Sequence, residues 1–261
     1  MMSLGWMEAA RDHGPLFISG PLDRKDRQGS RDRLLALCAQ AAERGATLVV
    51  CPEMALTGYL FTDAADVARV AEPAQGESFA ALSSLAAHYG LTLVCGYPER
   101  AEDAPTPCFY NSAWIIGPDG RLLSNYRKRL LYTADETWAK PGDTPYPQVR
   151  LPWGTLTAGI CMDLNDDRFV EFLYGARADV IAFCTNWLEE GLDLHSYWRF
   201  RLLLSRSVFV AANTYGSEVC RGHDATEFAG QSAIFDSRGR TLAKAPPAGD
   251  ALISAEVRLS R

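Results

Sequence analysis

Apolar residues along the chain alternate between helical stripes and short buried segments. From Arg31 to Gly45 the apolar positions fall on one helical face, and the glycine is expected to end the helix. Residues 47–51 (TLVVC) are predicted as a buried strand that ends at Pro52, because proline cannot donate a hydrogen bond to a neighbouring strand. The same unit returns as an apolar stripe from Leu82 to Tyr89 and a strand at 91–95.

Downstream, the pattern adds one hairpin and then returns to alternation. Residues 111–116 and 121–126 flank the turn Gly117-Pro-Asp-Gly120, which is typical of antiparallel strands. The later predicted elements are a strand at 155–161, a helix at 166–177, a strand at 179–184, a helix at 193–206, a strand at 207–212 and a hairpin turn at 236–239. With no long linker and no internal repeat, this order predicts one α/β domain built in layers.

Composition excludes several classes of protein. The 261 residues are 48% hydrophobic and 22% charged, which is too apolar for a disordered chain. Lys and Arg number 26 against 32 Asp and Glu, and the net charge of −6 argues against a nucleic-acid-binding surface. No apolar run reaches the ~20 residues of a membrane span. Residues 1–15 lack the apolar core of a secretory signal, so a cytoplasmic location is expected.

Cysteines and histidines give no pattern for disulfides or metals. The seven cysteines are odd in number and widely spaced, with no C-x-x-C pair, so most are expected to be reduced core residues. The four histidines include no pair at metal-ligand spacing, which disfavours a zinc hydrolase. We therefore expect neither a metal nor another cofactor.

Two reactive side chains follow predicted strands directly. Glu53 comes after TLVVCP and Cys161 after TLTAGI, and reactive groups gather at the carboxyl ends of strands in α/β sheets. Because a thiol is mostly protonated at neutral pH, a nucleophilic cysteine needs a base such as Glu53. Lys128 could stabilise the negative charge that develops on attack. Taken singly, each residue is more often a solvated carboxylate, a surface cation or a core thiol.

Taken together, three segments resemble signature blocks of the nitrilase superfamily of carbon-nitrogen hydrolases. These segments are 51–59 (CPEMALTGY), 126–128 (YRK) and 159–163 (GICMD), in the order Glu, Lys, Cys. The resemblance extends over most of the chain and implies a four-layer αββα sandwich. It also implies hydrolysis of a non-peptide carbon-nitrogen bond through a cysteine thioester, without a metal or cofactor.

The resemblance assigns a role to each reactive residue. Glu53 would act as general base and Cys161 as nucleophile, while Lys128 and the backbone N–H of Met162 would hold the oxyanion. The family's second glutamate matches Glu136, eight residues after the lysine, which would orient the lysine or the substrate.

The expected substrate is a small-molecule amide or a peptide N-terminus. Among subgroups, the segments EMALTGY, LYTADETWA and GICMDLN are most similar to protein N-terminal amidases, which deamidate N-terminal Asn or Gln. Candidate substrate-binding residues are Tyr59, Trp138, Asp163, Asn186 and Trp187. Asp163 could bind a substrate ammonium group, but burial of the aromatic rings and capping by Asp163 and Asn186 explain these residues equally well. Nitrile hydrolysis, acyl transfer and a non-catalytic binding or assembly role remain alternatives.

The chain departs from the family pattern in its first strand and in the segment that precedes a late strand. The usual first strand ends in glutamine, whereas Pro15 to Gly20 leads into Pro21, so residues 1–30 are expected to form an altered first strand before a hydrolase domain at 31–261. The family's Arg-Ala-x-Glu-Asn run is replaced by Arg201-Leu-Leu-Leu-Ser205. Family habit suggests a homodimer formed through the helices that flank the active-site strands.

Overall fold

Two β-sheets form the centre of the protein, whose computed structural model describes residues 16–17, 27–101, 106–220, 225–246, 249, 251–257 and 259. The strands of the first sheet, in spatial order, are β1 (Leu16–Phe17), β2 (Leu48–Val50), β3 (Thr92–Ala101), β4 (Cys108–Ile116) and β5 (Leu122–Arg127). Strands β1 to β3 run parallel, and β3, β4 and β5 pair antiparallel.

The second sheet has six strands in the order β13-β12-β9-β8-β7-β6. They are β6 (Val149–Leu151), β7 (Gly154–Ile160), β8 (Val180–Thr185), β9 (Val208–Asn213), β12 (Ala233–Phe235) and β13 (Thr241–Lys244). Strands β7, β8 and β9 are parallel. Between β9 and β12, strands β10 (Tyr215–Glu218) and β11 (Thr226–Ala229) form a separate antiparallel hairpin.

Helices cover the outer face of each sheet. Helices α1 (Arg27–Glu43) and α3 (Glu77–Tyr89) pack on the first sheet, whereas α4 (Asp167–Ala176) and α5 (Leu194–Arg201) pack on the second. A short helix, α2 (Ala64–Val67), lies between α1 and α3 in the chain. The layers follow in the order helix, sheet, sheet, helix, which confirms the predicted αββα sandwich in one domain.

Successive apolar side chains along the strands point to opposite faces, which explains why both faces of the first sheet are buried. Leu48 and Val50 of β2 pack toward the second sheet, whereas Val49 packs with α1 and α3. On β4, Ile115 likewise faces inward and Trp114 outward. Because successive side chains of a strand point to opposite faces, an apolar run without polar interruptions is the pattern of a sheet buried on both sides.

The structure differs from the predicted elements at element ends, in short strands and in the short helix α2, which was not predicted. Helix α5 ends at Arg201, before the predicted residue 206, and the chain continues in turns that leave Leu203 and Leu204 exposed. Strand β6 and the β10–β11 hairpin were not predicted. The altered first strand within residues 1–30 stays a prediction, because residues 1–15 and 18–26 lie outside the described residues. None of the described helices is long and apolar enough to span a membrane.

Candidate active site

Both sheets contribute reactive groups to one buried site between them. Glu53 lies shortly after β2 and Lys128 directly after β5, both of the first sheet, whereas Cys161 directly follows β7 of the second. All three side chains are almost completely inaccessible to solvent. The sandwich therefore brings together groups that are 75 and 33 residues apart in sequence.

The Glu53 carboxylate is held by three donors. Its Oε1 accepts from Lys128 Nζ at 2.7 Å and from Asn111 Nδ2 at 2.6 Å, and its Oε2 accepts from the backbone N–H of Asn186 at 2.8 Å. Burial raises the pKa of Glu53 above its usual range, and Lys128 and Asn111 offset only part of that effect. A carboxylate with a raised pKa accepts a proton more readily than an exposed one.

Lys128 is a fully buried cation between two carboxylates. Its Nζ donates to Glu53 at 2.7 Å and to Asp135 Oδ2 at 2.6 Å. Burial alone would lower the pKa of this lysine, but the charges of Asp135 and Glu53 outweigh burial and raise it. Lys128 therefore stays an ammonium group and can stabilise negative charge.

Asp135, rather than the predicted Glu136, is the second acidic partner of the lysine. Asp135 is completely buried, and it also accepts from the backbone N–H of Tyr132 at 3.0 Å and from Asn111 Nδ2 at 3.2 Å. The side chain of Glu136 is exposed. Both residues lie in a short helical turn, Asp135–Thr137, where consecutive side chains point in different directions, so only the first faces the site.

Cys161 begins a short helical turn, Cys161–Asn165, in a left-handed backbone conformation with φ of 42°. Burial and the Glu53 carboxylate raise the pKa of its thiol, whereas Lys128, the Thr185 hydroxyl and the Asn186 N–H act in the opposite direction. The thiol is consequently protonated at neutral pH, and a nucleophilic role requires that a base remove its proton.

Asp163 joins the cysteine turn to the segment that follows the lysine. Its Oδ1 accepts from the backbone N–H groups of Arg129 and Leu130 at 3.0 and 3.2 Å. Its Oδ2 accepts from Ile160 N–H at 3.0 Å and from the Tyr126 hydroxyl at 2.8 Å. The prediction that Asp163 binds a substrate ammonium group is therefore wrong, because its buried carboxylate is already engaged by four protein donors.

Of the other predicted substrate-binding residues, two border a cleft and two lie in the core. Tyr59 and Asn186 line a narrow cleft beside Glu53, with a free volume of about 30 Å³, which is room for a water-sized group. Trp138 packs edge-on against Phe61 at a ring distance of 5.4 Å, and Trp187 lies against Trp198 at 6.2 Å. Both predicted tryptophans are buried and neither borders this cleft, so a substrate-binding role for them stays a prediction.

Several residues at the site were not predicted. Asn111 lies inside β4, after Phe109 and Tyr110, and this polar interruption of an apolar strand was the available signal. Thr214, Tyr215, Glu218 and Phe228 reach the cleft through the β10–β11 region, which the apolar pattern did not predict. Met162, whose backbone N–H was predicted to hold an oxyanion, directly follows the cysteine in its turn.

Other cavities and side-chain clusters do not compete with this site. A larger cavity of about 530 Å³ lies beside Asp179 and Val208, where β8 and β9 begin, away from the reactive groups. In the part of the chain that the structure describes, no group of three or more His, Cys, Asp or Glu could hold a metal ion. All seven cysteines are buried and free.

Comparison with known sequences identifies relatives over most of the chain. The sequence model of the family described as carbon-nitrogen hydrolase matches residues 9–261. A nitrilase of Pyrococcus abyssi is 30% identical over 224 residues, which are 85% of this chain and 81% of the relative. The protein N-terminal amidase of Saccharomyces cerevisiae is 34% identical over 142 residues, but these are 47% of this chain and 30% of the amidase.

Comparison with solved structures identifies the same fold. A mutant of the amidase from Nesterenkonia sp. AN1, which carries the Michael addition product of acrylamide at its active-site cysteine, superposes with a TM-score of 0.78 at 20% identity. The superposition covers 95% of this chain and 94% of the amidase.

Proposed function

The chain belongs to the carbon-nitrogen hydrolase family and hydrolyses amide-type carbon-nitrogen bonds, and from this premise we propose that Cys161 forms a thioester with the substrate. The observation that carries the proposal is the buried contact of 2.7 Å between Glu53 and Lys128, beside a thiol whose pKa both of them shift. A base, a cation and a nucleophile are the groups that thioester chemistry requires.

Acylation begins when the Glu53 carboxylate takes the proton of the Cys161 thiol. The thiolate attacks the amide carbon, and the oxygen becomes an oxyanion held by Lys128 and the backbone N–H of Met162. Glu53 then passes its proton to the substrate nitrogen. The carbon-nitrogen bond breaks, ammonia or an amine leaves, and the acyl group remains on sulfur.

Deacylation uses the same groups in the second half of the reaction. Glu53 takes a proton from water, and the resulting hydroxide attacks the thioester carbon. This attack produces a second oxyanion, which Lys128 and the backbone N–H of Met162 again stabilise, and the carbon-sulfur bond then breaks. Glu53 returns its proton to the departing Cys161 thiolate, and the product leaves as a carboxylic acid.

The substrate class we propose is a side-chain amide of small size, either an ω-amide or the N-terminal Asn or Gln of a peptide. Similarity to protein N-terminal amidases in two organisms supports the peptide N-terminus. Nitrile hydrolysis and acyl transfer would use the same thioester, and similarity to a nitrilase keeps the nitrile reaction as the second candidate.

Ammonia release from a panel of substrates tests the proposal. The panel contains ω-amides, simple aliphatic amides, nitriles and peptides that begin with Asn or Gln. Cys161→Ala should abolish turnover and covalent labelling by an amide electrophile, and Lys128→Met should lower kcat by about 10²- to 10³-fold, as for the loss of one oxyanion donor. Cys184→Ala is the matched control, since this thiol is also buried and lies in β8 of the same sheet. Full turnover by either Cys161→Ala or Lys128→Met would refute the assigned roles.

Two broader features belong to the same proposal. We place the enzyme in a reducing compartment, the cytoplasm, which the seven free cysteines support.

We also propose a homodimer, supported by Phe200, Leu203 and Leu204, which are exposed at the end of α5. Sedimentation of the purified protein measures the mass of the assembly.

A further inference from the structure

A buried hydroxyl group beside the nucleophile has no role yet in the proposed reaction. It belongs to Thr185, the last residue of β8, which is completely inaccessible to solvent. Strands β7 and β8 run parallel, with Ile160 opposite Cys184. The residues that follow these two are Cys161 and Thr185, so the register of the second sheet brings the hydroxyl alongside the thiol.

The Thr185 hydroxyl has no nitrogen or oxygen partner. Among the described residues, none makes a hydrogen bond of that kind with its buried Oγ1. Removing a hydroxyl from water without giving it a partner is costly, and folded proteins contain few such groups. The position therefore calls for an acceptor that is absent from the resting site and arises during the reaction.

The sulfur of Cys161 becomes such an acceptor when it loses its proton. Against burial and the Glu53 charge, which raise the pKa of the Cys161 thiol, hydrogen bonding by the Thr185 hydroxyl lowers it. A neutral thiol is a weak acceptor, whereas a thiolate is charged and binds a hydroxyl donor more strongly. The interaction therefore strengthens as the proton leaves, and interactions that strengthen along the reaction accelerate it.

We propose that Thr185 is a catalytic residue whose hydroxyl donates a hydrogen bond to the Cys161 thiolate. This inference rests on the proposed thioester mechanism and adds one donor to it. The hydroxyl keeps its own proton throughout. It stabilises the thiolate that forms when Glu53 takes the thiol proton, and again the thiolate that departs when the carbon-sulfur bond breaks.

Thr185→Val tests the proposal, because valine keeps the shape of threonine and lacks the hydroxyl. A hydrogen bond to a charged group changes an equilibrium by about 10- to 100-fold, so the thiolate population should fall by this factor. Since a thiolate of higher pKa is also more nucleophilic, alkylation of Cys161 by iodoacetamide at neutral pH should slow by only about 3- to 10-fold. Peptide mass spectrometry assigns the label to Cys161 among the seven free cysteines. We expect kcat/KM for amides to fall by a similar factor.

Two further variants are the controls. Thr185→Ser keeps the hydroxyl and should retain most of the alkylation rate and of kcat/KM. Thr92→Val removes another buried hydroxyl without a partner, at the start of β3, whereas this strand approaches Glu53 only at Gly96. It should leave both rates unchanged. Because each valine variant removes an unpaired polar group, neither should unfold at a lower urea concentration than the wild type.

Each outcome decides one question. Wild-type alkylation and turnover in Thr185→Val would overturn the inference, and so would an equal loss in Thr92→Val. A Thr185→Val protein that loses both rates and also unfolds at lower urea concentration would show a structural residue and overturn it too. Alkylation needs no amide turnover. If the wild type hydrolyses no amide, the proposed function fails on its own, and the alkylation rates still decide whether Thr185 supports the thiolate.

Discussion

The two acidic residues that follow Lys128 differ in burial although they are neighbours in sequence. Asp135 holds the lysine ammonium at 2.6 Å in a completely buried position, whereas Glu136 is exposed. Since Lys128 is the cation of the site, we regard Asp135 as its positioning residue. The pair offers a test in which neighbouring carboxylates are neutralised one at a time.

Asp135→Asn should lower kcat by roughly 10- to 100-fold, because a displaced lysine misplaces the oxyanion donor. The Asp135 charge also raises the pKa of Glu53, so its removal lowers that pKa. The acid limb of the kcat/KM profile, where Glu53 becomes protonated, should therefore move to lower pH. Glu136→Gln is the control and should change neither quantity. A limb that moves upward, or a larger effect of Glu136→Gln, would contradict the assignment.

The candidate reactive residues were easier to predict from the sequence than the residues that hold them by hydrogen bonds. Glu53 and Cys161 were recognisable because each follows a buried strand, and family resemblance added Lys128. Asp135 was missed because two adjacent acids differ only in the direction they take from a short turn. Asp163 was misread because nothing in the local pattern shows that four donors from distant segments converge on it.

At Gly96, strand β3 approaches the backbone of Glu53, the proposed general base. A Cβ atom built on this glycine would lie 2.6 Å from Glu53 Cα and 2.7 Å from Pro52 O, closer than real Cβ contacts allow. The absence of a side chain is therefore what lets β3 pack against the segment after β2.

Gly96→Ala should displace Glu53, with a cost of about 1–3 kcal/mol in stability from overpacking and a loss of activity of about 10²-fold from misplacement. Gly175→Ala in α4 is the control, because a Cβ there meets no atom within 4 Å. That change should leave activity unchanged and raise stability by up to about 1 kcal/mol, since alanine favours helix more than glycine does. Kinetics and urea unfolding of the two variants measure these effects. Normal activity in Gly96→Ala would contradict the argument.

Elements with a long apolar pattern were predicted, whereas the short strands β6, β10 and β11 were not. The alternation of α3, β3, α4, β8 and β9 followed directly from apolar stripes and runs. The β10–β11 hairpin pairs only four residues on each strand, with few buried side chains, so its position depends on contacts with distant segments. Glu218, which lines the cleft, was missed for this reason.

At the scale of the whole molecule, the two sheets divide the reactive groups between them. The inner faces pack through apolar side chains such as Val50 and Ile115 on one sheet and Ile160 and Ala182 on the other. Asp163 adds polar links across this interface through Tyr126, Arg129 and Leu130. The relative position of the sheets thus sets the relative position of the base and the nucleophile.

Turnover should be lost at lower urea concentration than secondary structure. Loosening of the interface by about 1 Å would reduce the rate by about 10²-fold, while the hydrogen bonds within each sheet survive. Initial rates and far-UV circular dichroism, recorded on the same samples, provide the comparison. Coincident transitions would indicate that the sheets separate only when the whole chain unfolds.

Asp163 therefore has a consequence beyond its own hydrogen bonds, because the four bonds that it accepts tie the turn at Cys161 to the segment around Lys128. A ligand that widened the gap between the sheets would move Lys128 relative to Cys161 and would inhibit the enzyme without entering the cleft.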